Sequence, residues 1–99
     1  MSTPEENVEI ALDESSDDDA RESAIGDLET ANECDRLAEI VRDGDVADRY
    51  RERALDGLAH PPCSETLRRL SEDADLPESL RDRAAELLDE TPESSGAGP

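Results

Sequence analysis

The chain is expected to fold as an all-α domain, a short stack of helical hairpins with five or six helices. Three observations predict this. A block of the form Arg-x-x-Ala-x-x-x-Leu recurs every thirty residues, at Arg21/Ala24/Leu28, Arg51/Ala54/Leu58 and Arg81/Ala84/Leu88, and a fixed period in this range marks stacked helical units. Between the blocks the same spacing pairs Leu37 with Leu67, Ile40 with Leu70, Asp43 with Asp73, Asp45 with Asp75, Val46 with Leu76 and Tyr50 with Leu80. Within each block the apolar residues fall at steps of three and four, which gathers them on one helical face.

Each element has its own signal. Thr3-Pro4-Glu5-Glu6 reads as a capping box with Pro in the first helical position, predicting a helix from Pro4 to Leu12. The period then sets Ile10 on Ile40 and Asp13 on Asp43. Against it, Met1 to Asp19 holds eight acids and no base, the pattern of a disordered acidic tail, so residues 1–14 stand open between one short helix and disorder. A second helix is expected from about Ser16 to Ala31, capped by Ser15, with Asp17, Asp18 and Asp19 where the helix dipole favours negative charge. A shorter one follows from about Glu33 to Asp43, with Leu37, Ile40 and Val41 inward, and Gly44 punctuates the joint. Asp45 is the expected cap of a helix from Val46 to Ala59, whose inner face carries Val46, Tyr50, Ala54, Leu55 and Leu58. Pro61-Pro62 marks the next joint, before a short helix from about Cys63 to Ala74 with Leu67 and Leu70 inward. Asp75 is the expected cap of the last helix, with Pro77 in the first turn, Glu78 completing a capping box, and Leu76, Leu80, Ala84, Leu87 and Leu88 inward. The repeat domain is thus placed at residues 15–90, and the Ser-, Gly- and Pro-rich residues 91–99 are expected to be a disordered tail.

Composition narrows the class of function. With 99 residues, 33% hydrophobic, one Tyr and neither Phe nor Trp, one domain with a thin aliphatic core is available. All ten basic residues are Arg, against 29 acids and a formal charge of -19. Heavy acidity without Lys resembles the cytosolic proteins of extreme halophiles. Mutual repulsion of these carboxylates reaches about 30 Å at 0.01 M salt and about 3 Å at 1 M, so folding is expected to depend on salt. The same charge argues against nucleic acid and anionic membranes as partners. No run approaches eighteen apolar residues, and Met1 to Leu12 lacks a basic region and an apolar signal core, so a cytoplasmic location is expected. In a reducing cytosol Cys34 and Cys63 are expected to remain thiols.

The blocks from Tyr50 to Leu58 and from Leu80 to Leu88 resemble the apolar-Arg-x-x-Ala-apolar-x-x-Leu helix of HEAT-like repeats, in particular the thirty-residue type named after phycobilisome lyases. Leu37 to Asp45 and Leu67 to Asp75 resemble that family's second helix and its Asp-x-Asp turn, with Ser71 departing from the pattern where Val41 stands one period earlier. The resemblance covers about Ser15 to Leu88 and implies a minimal right-handed alpha-alpha superhelix. It also implies an inter-repeat ion-pair ladder formed by Arg21, Arg51 and Arg81 with the turn acids Asp43 and Asp73. Second helices of such arrays line one surface, here presenting Arg36, Glu39, Arg42, Glu65, Arg68, Arg69 and Glu72. Arg36, Arg42, Arg68 and Arg69 are the candidate partner-binding residues.

Chemistry-bearing constellations are sparse. His60-x-x-Cys63 with Cys34 has a zinc-ligand flavour, but three soft ligands are few for a site and the cysteines open successive short helices, where thiols fill space. A disulfide is disfavoured because packed helix axes lie about 8–10 Å apart, whereas bridged α-carbons need less than about 7 Å. Neither a nucleophile with an adjacent base nor a phosphate-binding Gly loop is present, and one His leaves metal-dependent hydroxylase chemistry without ligands. The expectation is therefore a non-enzymatic module without cofactor or metal, binding another protein as a small adaptor, and monomeric or weakly homodimeric. Alternatives are an accessory subunit of a chromophore- or metal-handling lyase or hydroxylase, using Cys63 and His60, and an acidic mimic of nucleic acid.

Overall fold

A computed structural model describes residues 3–91. These form six α-helices and one 3-10 turn: α1 (Pro4–Leu12), α2 (Asp18–Thr30), α3 (Cys34–Arg42), α4 (Asp48–Asp56), the turn Pro61–Cys63, α5 (Ser64–Ser71) and α6 (Glu78–Glu90). No strand occurs among the described residues, so the fold is all-α. No described helix is long and apolar enough to cross a membrane.

The first segment is helical. Thr3 Oγ1 accepts the Glu6 N–H (3.1 Å) while Glu6 Oε1 accepts the Thr3 N–H (2.9 Å), a reciprocal capping box with Pro4 in the first turn. The starts of α2, α4 and α6 differ from expectation. Ser15, Asp45 and Asp75 do not cap; α2, α4 and α6 begin after Asp17, Ala47 and Pro77, none of which makes a side-chain cap bond. The reason is a competing local bond. Oδ1 of Asp13, Asp43 and Asp73 accepts the N–H of Ser15, Asp45 and Asp75 respectively, each at 2.9 Å. This folds the expected caps into Asx turns, and the helix starts only once that turn has closed.

Three hairpins follow, α1 with α2, α3 with α4 and α5 with α6, stacked so that α3 packs on both α1 and α5 while α4 packs on both α2 and α6. The result is two layers, α1–α3–α5 and α2–α4–α6. Ile25, Leu28, Leu37, Ile40, Leu55, Leu58, Leu67 and Leu70 are fully buried between them. Burying each such side chain contributes about 1.5–3 kcal/mol, which compensates for the scarcity of aromatic residues. Leu88, the third member of the Leu28/Leu58 series, is only half-buried, since no described helix follows α6 to cover it.

The joints between hairpins differ from each other. After α2, Asn32 takes a left-handed φ of 57°, and the Glu33 N–H reaches back to the Leu28 carbonyl. Asn tolerates this conformation better than most residues. After α4, Gly57 lies where the helices crowd. A Cβ there would meet the Ala54 carbonyl oxygen at 3.3 Å and the Glu29 Cβ at 3.4 Å. Thr91, expected within the disordered tail, is buried; the rest of that segment, residues 92–99, lies outside the described residues.

Candidate functional site

The four candidate partner-binding arginines lie on the α1–α3–α5 layer, and each engages a carboxylate. Arg36 on α3 bridges to Glu5 of α1 (3.6 Å) and to Glu39 one turn on (3.2 Å). Arg42, at the end of α3, donates from Nε to Asp73 Oδ2 beyond the end of α5 (3.1 Å). On α5, Arg68 meets Glu65 at 2.9 Å and Arg69 meets the same carboxylate at 3.7 Å. Their side chains remain accessible, from 36% for Arg36 to 66% for Arg69. The layer thus presents alternating charges rather than a free basic patch. Asp73 sits in this network with its pKa lowered, chiefly because its carboxylate accepts the Asp75 N–H and then because Arg42 faces it.

Arg21 and Arg51 make a different contact from the expected ladder with Asp43 and Asp73. Both are buried, and Nε of each donates to a backbone carbonyl ten residues earlier, Arg21 to Ala11 (2.9 Å) and Arg51 to Val41 (2.8 Å). Each therefore clamps the two helices of its own hairpin. The acceptors lie in the last turns of α1 and α3, where carbonyls lack helical partners and the dipole attracts a cation. Arg81 stands at the equivalent place in the third hairpin, close enough to Asp73 to help lower its pKa, but its buried Nε finds no acceptor.

Besides Arg36–Glu5 and Arg42–Asp73 on the α1–α3–α5 layer, ion pairs between successive hairpins are also carried on the α2–α4–α6 layer. Arg53 of α4 meets Glu29 of α2 at 3.0 Å, and Arg83 of α6 meets Asp56 of α4 at 3.1 Å. Arg53 and Arg83 are themselves thirty residues apart, so the period contained this signal. Asp18 adds a cluster: it accepts the Tyr50 hydroxyl and bridges to Arg49 at 2.9 Å, while the Arg21 guanidinium lies 4.1 Å from the Tyr50 ring centre. The hydroxyl bond holds the Asp18 carboxyl below its ordinary range, and the same carboxylate pushes the Tyr50 phenol up.

Beside this layer is an open hollow of about 570 Å³ lined by Glu22, Ser23, Gly26, Asp27, Thr30 and the Arg53–Glu29 pair. Its walls are polar and it opens widely to solvent, unlike the enclosed apolar pockets that hold small molecules.

Cys34 and Cys63 are bridged, with α-carbons 5.4 Å apart, which corrects the expectation of two thiols. The interaxial spacing used against a disulfide describes helices packed side by side. Here each cysteine stands at a helix start, Cys34 opening α3 and Cys63 preceding α5, and the Pro61–Cys63 turn carries the second chain start over the first. With both sulfurs in one bond, the Cys34/His60/Cys63 trio offers a metal no thiolate. His60 nevertheless stays close, its Nε2 3.4 Å from Cys63 Sγ.

No protein-family model, curated protein or solved structure matches this chain.

Proposed function

We propose that the chain is a non-catalytic protein-binding module of the HEAT-like kind, a small cytoplasmic adaptor that presents its α1–α3–α5 layer to an acidic segment of a partner protein. The observation that carries this reading is the lateral alignment of three helices by three hairpins, which lays Arg36, Arg42, Arg68 and Arg69 along one surface. Apart from the half-buried Asp73 that faces Arg42, their present partners Glu5, Glu39 and Glu65 are exposed carboxylates, and such pairs contribute only about 0–1 kcal/mol each. In concentrated salt they are weaker still. Exchanging Glu65 or Glu39 for a carboxylate of the partner therefore costs little, and shape together with the row of guanidinium groups selects the segment.

The test is recovery of the tagged chain from an extract kept in molar KCl, with bound proteins identified by mass spectrometry, alongside the Arg68→Glu/Arg69→Glu double variant. One stoichiometric partner that is lost on the double substitution is the expected outcome. A partner retained by the variant would move the interface off this layer. Recovery of the chain alone, carrying metal or colour, would defeat the adaptor reading.

A further inference from the structure

We propose that the Cys34–Cys63 bridge is a thiol–disulfide exchange site whose substrate is a dithiol, with Cys34 Sγ the sulfur attacked and Cys63 the leaving sulfur. The two cysteines are not equivalent. Cys63 is fully buried, whereas Cys34 is only half-buried at the first turn of α3, so an incoming thiolate reaches Cys34. Exchange also depends on how well the departing sulfur bears charge. His60 Nε2 lies 3.4 Å from Cys63 Sγ. The contact is held in place, because the Cys63 N–H donates to the His60 carbonyl (2.9 Å) across the Pro61-Pro62 turn. With the ring proton on Nε2, the tautomer we assign, the N–H at that position stabilises a thiolate on Cys63.

The other product of reduction is provided for as well. Cys34 Sγ lies 3.6 Å from both the Asn32 and the Pro62 carbonyl oxygens. A sulfur in a disulfide has no proton to give them, but a Cys34 thiol would have an acceptor on either side. Both sulfurs thus have partners suited to the reduced state, with the charge placed on Cys63 and the proton on Cys34.

The step balances with a dithiol as reductant. One of its thiolates attacks Cys34 Sγ and forms a mixed disulfide. The Cys34–Cys63 bond breaks, and its electron pair goes to Cys63 Sγ beside His60. The second thiolate of the reductant then attacks its own sulfur in the mixed disulfide and releases Cys34 as a thiolate, which takes a proton from solvent. Two electrons have passed from the dithiol to the bridge, and the reductant leaves as a disulfide. The reverse sequence restores the bond.

The experiment uses the full chain in molar KCl without denaturant. Equilibration with mixtures of reduced and oxidised dithiothreitol, followed by alkylation and mass spectrometry, is expected to show the bridge opening and re-forming reversibly. Brief exposure to glutathione, quenched and mapped by peptide, is expected to place the adduct on Cys34 and the free thiol on Cys63. His60→Ala should slow reduction roughly three- to tenfold through the poorer leaving sulfur, and should remove the thiolate ultraviolet absorbance of the reduced protein, with circular dichroism unchanged. A bridge that opens only in denaturant, an adduct on Cys63, or a His60→Ala variant reduced at the native rate would each overturn the proposal. The glutathione mapping uses the native chain, so it decides which sulfur is attacked even where the variant folds poorly.

Discussion

Three arginines at one repeat position have three different environments. Arg51 donates to Val41, Arg21 donates to Ala11 beneath the Tyr50 ring, and Arg81 buries an Nε with no acceptor. Replacing Arg51 with Met removes a charged donor and strands a carbonyl, so a loss of about 1.5–3 kcal/mol is expected. Replacing Arg81 with Met removes a donor that is already unsatisfied, and the expected change is within about 1 kcal/mol of zero. Urea unfolding in molar KCl measures both, and equal losses would show that the carbonyl clamps contribute nothing special. The sequence located these residues but not their acceptors. A backbone carbonyl has no side-chain signature, so the family-like expectation of an Asp partner filled the gap. The equivalence of Arg53 and Arg83 lay in their thirty-residue spacing but their ion-pairing did not, since their acceptors, Glu29 and Asp56, break that spacing.

Among the elements, the Asx turns that precede α2, α4 and α6 decide where the helices start. Two of their carboxyls are held below the ordinary range, Asp13 chiefly by the Ser15 hydroxyl and Asp73 chiefly by the Asp75 N–H; Asp18, in the first turn of α2, is lowered by the Tyr50 hydroxyl. A lowered folded-state pKa contributes stability that is fully present above the unfolded value, about 3.9 for Asp, and is lost as pH falls through the folded value. In molar KCl, where general repulsion is screened, the urea midpoint is therefore expected to be level from neutrality to about pH 4 and to fall below it. A midpoint that stays level well into acid would show that these turns do not matter to stability. Helix existence was legible here because apolar periodicity survives small shifts of register. Helix starts were not, because the Asp two residues before each expected cap engages that residue's own N–H, and spacing alone does not reveal this turn. Bridge formation was hidden for a related reason: it depends on how two helix ends converge, which no interaxial average describes.

At the scale of the molecule, a chain with 29 acids is built on a core of small aliphatic residues. Exposed pairs such as Arg83–Asp56 are weakened by salt, yet the far more numerous repulsions are weakened too, and repulsion dominates at a formal charge of -19. Helicity followed by circular dichroism is expected to rise as KCl is raised from millimolar to molar. Full helicity in dilute buffer would mean that the apolar core alone overcomes the charge. The fold class was legible because a thirty-residue period is a property of the whole chain and needs no single residue to be read correctly. Partner choice was not legible to the same degree, since recognition depends on a few side chains placed on a scaffold that many functions share.

The bridge also alters what the molecule is as a covalent object. Residues 34–63, which contain α3 and α4, form a closed ring, while α1–α2 and α5–α6 hang from it as two open arms. A protease that cuts the turn at Gly44 linearises the ring without releasing a fragment, whereas a cut in the turn before α6 frees α6 from the rest of the chain at once. The central hairpin is therefore the one part of the chain that survives a nick as a single molecule, for as long as the two sulfurs stay joined.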